Sequence, residues 1–172
     1  METPGIGPQK ARALLARAGS LEAACAELPE PPKTWSPLTD RTWAWLQADA
    51  DHGVLTLADA DYPAALLQTA DPPVLLYLHG RHELLQDAST LAIVGSRKPT
   101  AQGRDNAEHF ARELALAGPT IVSGLALGVD GAAHAGALAA TGRTIAVVGT
   151  GLDQRSIRAA TRRWAGASRP RA

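Results

Sequence analysis

The sequence predicts an α/β fold in which a parallel sheet follows a small helical module. Three short apolar runs indicate the sheet: residues 91–94, 120–122 and 144–148, each ending in a cluster of Gly, Ser, Thr or Asp. Helix-like segments fill both gaps, and strands that alternate with helices in this way are typical of a parallel sheet. The carboxyl ends of such strands share one edge with the N-termini of the helices, and ligands bind there. We therefore expect the function to lie at that edge.

Residues 1–50 are predicted to form the helical module. Pro8 suits the first position of a helix, and Gly19 is expected to end that helix. A second short helix follows. A third is expected to begin at a cap formed by Thr39 or Asp40, because both residue types accept hydrogen bonds from the first free amides of a helix.

Residues 51–90 are predicted to bridge the module to the sheet. Short strands are expected at 54–57 and 74–78, with a brief helix after Pro63. At the other end of the chain, residues 154–172 contain no acidic residue and few apolar ones, so we predict a basic, disordered tail.

Residues 91–153 are predicted to form the α/β block. Its helices are expected over about 105–117 and 130–140. The side chains expected to face inward from the first of these helices are Ala107, Phe110, Ala111, Leu114 and Ala115.

The formal net charge of zero conceals an asymmetry. All 17 acidic residues lie within residues 1–153, whereas six arginines lie in the last 18 residues. Residues 1–154 thus carry 11 basic against 17 acidic side chains. A body this acidic does not attract polyanions by its net charge, so binding to nucleic acid would require a focused basic site.

Composition also constrains the compartment. No apolar run approaches the roughly 18 residues that a membrane span needs, and the first residues lack the pattern of a signal peptide. The single Cys25 excludes an internal disulfide and a cysteine-rich zinc site. We expect a cytoplasmic protein that holds no cofactor and no metal.

The first candidate site follows the first strand of the block. Arg97 can direct two donors at one phosphate, and Lys98 adds a point charge beside it. The alternative is an ordinary loop with a solvated arginine. The spacing matches neither G-x-G-x-x-G nor a Walker loop, which argues against NAD binding and ATP hydrolysis. The residues expected to contact nucleic acid here are Gly95, Ser96, Arg97, Lys98 and Gly103.

The second candidate site follows the second strand. A Ser-Asp-His catalytic triad is rejected, because the nucleophile elbow needs glycine two residues before the serine and Ile121 stands there. Asp130 is instead expected to cap the next helix, with His134 as its oriented neighbour on the same face. The contact residues expected here are Ser123, Gly124 and Gly128, with Asp130 and His134 shaping the pocket.

Three weaker features have structural alternatives. The segment 4–7, followed by Lys10 and Arg12, is typical of a helix-hairpin-helix element that grips DNA phosphate, or of a plain turn between helices. His79 and His82 lack an obvious carboxylate or thiol partner and are interpreted as surface histidines. The tryptophans expected to pack the helical module against the α/β block, rather than to stack on bases, are Trp35, Trp43 and Trp45.

Together these residues resemble the DNA-processing protein A family, also called DprA or Smf. The matching signatures are, in order, Tyr62-Pro63, residues 71–80, 92–97, 123–134, 142–148 and 151–153. The resemblance implies a Rossmann-like domain that binds and protects single-stranded DNA and helps to load the RecA recombinase in natural transformation and recombination. It implies no enzymatic activity, a contact between the Gly95–Arg97 loop and DNA phosphate, and a homodimer.

The sequence departs from the family pattern in two places. Leu127 stands where the family's S-G-L-A-R-G pattern has arginine, and after Asp153 an arginine-rich segment replaces the expected Tyr-Pro motif and later strands. We hypothesise a chain truncated or frameshifted after about residue 153, without the C-terminal half of the sheet and much of the dimer surface. Two other functions stay open: a nucleotide-binding or nucleotide-hydrolysing enzyme on the same architecture, or an inactive fragment.

Overall fold

The computed structural model describes residues 7–19, 21–28 and 35–152. The chain divides into two compact units, Met1–His82 and Glu83–Ala172. The strands predicted to bridge the two parts thus belong to the same unit as the helices that precede them. The domain boundaries predicted from the sequence stay a prediction, and the predicted basic tail, 154–172, lies outside the described residues.

Three helices begin the first unit: α1 (Pro8–Ala18), α2 (Leu21–Ala26) and α3 (Trp35–Gln47). α1 begins with Pro8 at its first position and ends at Gly19, whose φ of 73° closes the helix, which confirms both predicted boundaries. The predicted start of α3 at Thr39 or Asp40 was wrong, because the helix begins at Trp35. Pro37 is no obstacle there, since the first turn of a helix needs no hydrogen bond from its backbone nitrogens.

An antiparallel hairpin completes the first unit. Strands β1 (His52–Thr56) and β2 (Leu75–His79) pair with His52 opposite His79. The brief helix predicted between them is present as α4 (Ala64–Leu67). Just before α4, the buried Tyr62 donates a hydrogen bond of 2.7 Å to the carbonyl oxygen of Pro73, so the Tyr-Pro signature holds the chain that enters β2.

Trp43 and Trp45, which were expected to pack the helical module against the α/β block, have different environments. Trp45 packs inside the first unit, where its ring stacks on His52 with centroids 3.9 Å apart and meets Tyr77 edge-on. The prediction that Trp43 packs between the two parts of the chain was wrong, since its side chain is 66% exposed. The side chain of Trp35 lies outside the described residues.

The second unit is the predicted βαβαβ block. After a 3₁₀ turn at His82–Gln86, it contains β3 (Thr90–Ala92), α5 (Ala101–Leu116), β4 (Thr120–Ser123), α6 (Val129–Ala140) and β5 (Thr144–Ala146). The three strands form a parallel sheet in the order β3-β4-β5, with β4 in the centre. The parallel sheet with helices in both gaps is confirmed.

The helices α5 and α6 pack against each other through small side chains. A Cβ atom at Gly136 of α6 would lie only 2.1 Å from the carbonyl oxygen of Glu108 in α5. Such a close approach leaves no room for any side chain at position 136 and only for small ones beside it, and Ile121 of β4 belongs to the same core. The fully buried residues of this core are Ala111, Ala115, Ile121, Ala133 and Ala137.

This close packing explains one wrong prediction. Phe110 was expected to face inward, but its side chain is 64% exposed. The buried stripe of α5 consists of Ala107, Ala111 and Ala115, spaced four residues apart, with Leu114 half-buried beside it. A large ring at position 110 does not fit the alanine-lined contact, so it lies on the solvent side.

Two helix starts also differ from expectation. α5 was expected from about Asp105 but begins at Ala101, because Thr100 caps it and accepts a hydrogen bond of 3.0 Å from the amide of Gly103. Gly103 is therefore in the first turn of a helix and not in a loop. The prediction that Asp130 caps α6 was wrong, since Gly128 takes the cap position and Asp130 lies in the first turn.

Within the described ranges, none of the helices combines the length and the apolar character that crossing a bilayer requires.

Candidate nucleic-acid interface

The loop from Gly95 to Thr100 leaves the carboxyl end of β3 and leads into α5. Its residues 95–98 are exposed to solvent. The hydroxyl of Ser96 accepts a hydrogen bond of 3.0 Å from the amide of Lys98, which folds the loop into a tight turn. Within the described residues, neither Arg97 nor Lys98 forms an ion pair. Both cations are thus available to an anionic ligand at the end of the strand.

The loop after β4 docks directly on the first loop. The amide of Val129 donates a hydrogen bond of 3.1 Å to the carbonyl oxygen of Ser96. Gly128 has a φ of 91°, and a Cβ atom there would lie 2.3 Å from the same oxygen. A Cβ atom at Gly95 would lie 2.9 Å from the Val129 side chain. The two glycines are needed because only residues without a side chain let the loops approach this closely.

The side chains of the second loop have different environments. Ser123 is buried, and its hydroxyl donates a hydrogen bond of 2.5 Å to the carbonyl oxygen of Ile93. Its side chain therefore ties β4 to the segment after β3 and does not face solvent. Leu127, in contrast, is 81% exposed at the tip of the loop. The groups of the second loop that are available to a ligand are therefore its backbone and the side chain of Leu127.

His134 is fully buried in α6 and connects the second loop to β5. Its Nε2 lies 3.0 Å from the carbonyl oxygen of Gly124, and its Nδ1 lies 2.7 Å from Oγ1 of Thr144. Burial lowers the pKa of His134, against the opposing effects of the Gly124 hydrogen bond and the charge of Asp130. The neutral ring donates from Nε2 to Gly124, so His134 holds the second loop in position from below.

The two helix N-termini at this edge differ in charge. In the first turn of α5, the amide of Gly103 is bonded to Thr100, whereas the amides of Ala101 and Gln102 have no partner within the described residues. Arg97 and Lys98 lie just before this turn, which contains no acidic residue. The first turn of α6 contains the buried Asp130, whose Oδ2 lies against Gly124. Because the amide end of a helix attracts anions and a nearby carboxylate repels them, the positive corner of the edge lies at the first loop.

A model of the family described as DNA recombination-mediator protein A matches residues 53–166, more than half of the chain. The chain belongs to this family. The match begins at the hairpin, includes every strand-end loop described above, and continues past Asp153, where the resemblance in the sequence was expected to stop. The α/β architecture, read from the sequence as Rossmann-like, agrees with this assignment.

Relatives and solved structures of the family are similar to this chain. The DNA processing protein DprA of Bacillus subtilis is 40% identical over 110 residues, which cover 63% of this chain and 37% of that protein. A structure of DprA from Streptococcus pneumoniae matches with a TM-score of 0.70 and 30% identity over 95% of this chain and 60% of that one. DprA from Helicobacter pylori, a structure that describes a single-stranded DNA binding mode, matches with a TM-score of 0.54 and 31% identity over 68% of this chain and 53% of that one.

The chain matches only part of each longer relative. The matched segment makes up 37% of the Bacillus subtilis protein and 26% of the Synechocystis protein Smf. The part shared with the family contains the three strands and the two loops that form the candidate interface.

Three contacts in this structure were not predicted from the sequence. Thr144 supports the interface through its contact with His134, and Val129 supports it through its hydrogen bond to Ser96. Neither role could be read from the sequence, because the partner is distant in the chain. Arg12, in the helix that follows the proposed hairpin element, is paired with the Asp71 carboxylate and donates a hydrogen bond of 2.9 Å to the carbonyl oxygen of Pro72. The remainder of the proposed hairpin element, residues 4–6, lies outside the described residues.

Proposed function

We propose that this chain binds single-stranded DNA by its backbone phosphates, at the edge where β3 and β4 end. Arg97 and Lys98 bind phosphate together with the first amides of α5. The second loop supports them from the side through the hydrogen bond between Val129 and Ser96. The residues assigned to this interface are Gly95, Ser96, Arg97, Lys98, Gly103, Gly124 and Gly128.

The observation that carries the proposal is the coincidence of charge and geometry at the first loop. Two exposed cations without an acidic partner in the described residues precede the amide end of a capped helix, at the edge of a parallel sheet where ligands bind. Asp130 and His134 act indirectly, since both are buried, and His134 holds the second loop through the carbonyl oxygen of Gly124. Family membership supports DNA as the source of the phosphate.

A role in recombination follows from the same assignment. The family resemblance implies that the chain protects incoming DNA and assists the loading of RecA during natural transformation, as a homodimer, and the composition of the sequence predicts that it does so in the cytoplasm. These functions belong to proteins longer than the matched segment, so each requires its own measurement. The direct one mixes the purified chain with RecA and single-stranded DNA and follows filament formation; an unchanged rate would contradict the loading role.

The function proposed here is binding and not catalysis. The sequence contains no Gly-rich P-G-G-x-G-T loop, which a nucleotide-cleaving relative on this architecture would be expected to carry. The buried Ser123 is bonded to a backbone carbonyl and lacks the exposure of a nucleophile. The binding experiment must nevertheless distinguish this DNA interface from a site that binds nucleotides.

The test is a titration of the full chain against a fluorescent single-stranded oligonucleotide, read by anisotropy at several salt concentrations. Because hydrogen bonds to charged groups contribute about 1.5–3 kcal/mol, Arg97→Ala should weaken binding by roughly tenfold or more. The slope of log K against log salt should fall by about 0.7 for one lost phosphate contact.

Arg112→Ala is the matched control. Arg112 is an exposed arginine of the same unit, paired with its neighbour Glu113 in the C-terminal half of α5, away from the strand ends. The Arg112→Ala variant should bind the oligonucleotide as the parent chain does. Equal affinity in Arg97→Ala and the parent chain would overturn the proposed interface, and full competition by a nucleoside monophosphate would favour the nucleotide site.

A further inference from the structure

A second cluster of side chains that can bind a ligand lies within the first unit. Asp49 follows α3, His52 begins β1 and His79 ends β2. One ligand atom from each of the three lies within 4.8 Å of the others, and Nε2 of His79 is 3.8 Å from Oδ2 of Asp49. The expectation that His79 lacks a carboxylate partner was therefore wrong.

The hairpin register brings the two histidines together. His52 and His79 are directly opposite in the antiparallel pair, and cross-strand neighbours on one face of a sheet have their Cβ atoms close together. Their ring centroids are 4.6 Å apart, with the planes at 77°. Twenty-six residues separate the two positions in the sequence (52 to 79), so their spacing there does not reveal the pair.

His52 is held in a defined orientation by two further contacts. Its Nδ1 donates a hydrogen bond of 2.6 Å to the carbonyl oxygen of Trp45, and its ring stacks on the Trp45 indole. This bond leaves Nε2 as the nitrogen with a free lone pair. Histidines that bind metals commonly donate their other ring N–H to a backbone carbonyl in this way, which fixes the tautomer and the direction of the ligand atom.

Asp49 is oriented in a similar manner. Its Oδ1 accepts a hydrogen bond of 3.0 Å from the amide of Asp51, which leaves Oδ2 directed toward His79. The carboxylate oxygen that makes no hydrogen bond to the backbone is therefore the one beside the two imidazoles.

We propose that Asp49, His52 and His79 bind a divalent transition-metal ion of the zinc type. Two imidazole nitrogens with one carboxylate oxygen suit zinc and its neighbours, whereas magnesium and calcium prefer oxygen ligands alone. Bond lengths of about 2.0–2.1 Å place tetrahedral ligand atoms roughly 3.3 Å apart, a small side-chain rotation from the separations seen here. Water takes the fourth position.

The ion has a structural consequence. It links the end of α3 to both strands of a hairpin, and a two-stranded hairpin is by itself marginally stable in water. A ligand that binds the folded chain and not the unfolded one raises the midpoint of thermal unfolding. The site thus stabilises the first unit, independently of DNA binding at the second.

The experiment titrates zinc chloride into the full chain by calorimetry and then repeats the titration with cobalt chloride, followed by its visible absorption. All proteins carry Cys25→Ser, because the exposed thiol of Cys25 is a competing ligand. We expect one ion per chain and a bound-cobalt absorption band. In His79→Gln the affinity should fall by more than about tenfold, the size of effect seen even for lost outer contacts of a metal site.

His109→Gln is the matched control, since His109 is an exposed histidine on α5 in the other unit. It should bind zinc as the parent does. His79 is itself partly exposed, so its variant should keep the metal-free melting curve of the parent, and only the zinc-induced rise in melting temperature should disappear. Absence of zinc binding to the parent, or equal binding by parent and His79→Gln, would overturn the proposal.

Discussion

The amide of Val129 donates a hydrogen bond to the carbonyl oxygen of Ser96, at 3.1 Å. This bond joins the loop after β3 to the first residue of α6, two segments more than 30 residues apart in the sequence. It means that the exposed cations of the first loop are supported by the second loop and not by their own helix alone. The candidate interface is therefore one structure built from two loops, and disturbing either loop should affect the other.

Gly128→Ala should disrupt this joint. Gly128 has a positive φ, and an added Cβ atom would lie 2.3 Å from the Ser96 oxygen, so the variant is both strained and crowded. Backbone strain of this kind costs about 1–3 kcal/mol, and the collision adds to it. Chemical denaturation should show the loss. Gly118→Ala is the control, because Gly118 also has a positive φ but nothing within 4 Å of its Cβ position. An equal loss in the two variants would contradict the docking of the loops.

Gly136→Ala should destabilise the second unit by separating α5 from α6. The added methyl group would collide with the backbone of Glu108, and overpacking of this kind costs about 1–3 kcal/mol or more. Gly131→Ala in the same helix has space, with its nearest contact at 3.5 Å, and should be neutral or stabilising by up to about 1 kcal/mol through helix propensity. Thermal unfolding measures the difference in stability between the two variants. Equal stability of the two would contradict the close packing of α5 on α6.

His134 should make stability depend on pH. Burial lowers its pKa in the folded chain below the ordinary 6.5, so the unfolded chain takes up this proton at higher pH than the folded one. The contribution of the neutral ring is complete above about pH 6.5 and is lost as the pH falls toward the folded pKa, by at most about 1.4 kcal/mol per pH unit.

The measurement is the free energy of unfolding of the parent and of His134→Gln between pH 7 and pH 5. The glutamine amide can still donate to Gly124 but does not titrate, so the variant should lose stability less steeply with acid. His109→Gln removes an exposed histidine of the same unit and should keep the slope of the parent. Parallel curves for the parent and His134→Gln would contradict the lowered pKa.

Leu127→Arg should strengthen binding to single-stranded DNA. Leu127 lies in the second loop and is 81% exposed, so an arginine there adds a cation without disturbing the packed core. The slope of log K against log salt should steepen by about 0.7 if the new side chain meets one phosphate. Leu116→Arg adds the same charge at another exposed position, at the far end of α5, and should change little. Equal gains would indicate a general charge effect and not this interface.

The order of local elements could be read from the sequence because each signal lies within a few residues. Pro8 and Gly19 bound α1 as expected, and the glycine clusters mark the ends of the three parallel strands. Predictions that depended on which side of a helix is covered were less successful. Phe110 occupies a position that periodicity assigns to the core, but the closeness of α6 admits only small residues.

The sequence by itself determined the family, the parallel βαβαβ order and the loop that carries Arg97. Tertiary structure alone decided that Ser123 is buried, that Arg12 is paired with Asp71, and that Asp49 lies beside His79. The physical reason is that apolar periodicity and turn residues act over one or two turns of chain. A hydrogen bond or an ion pair depends instead on where the packed backbone places its partner, and that partner lies 30 to 59 residues away in these cases.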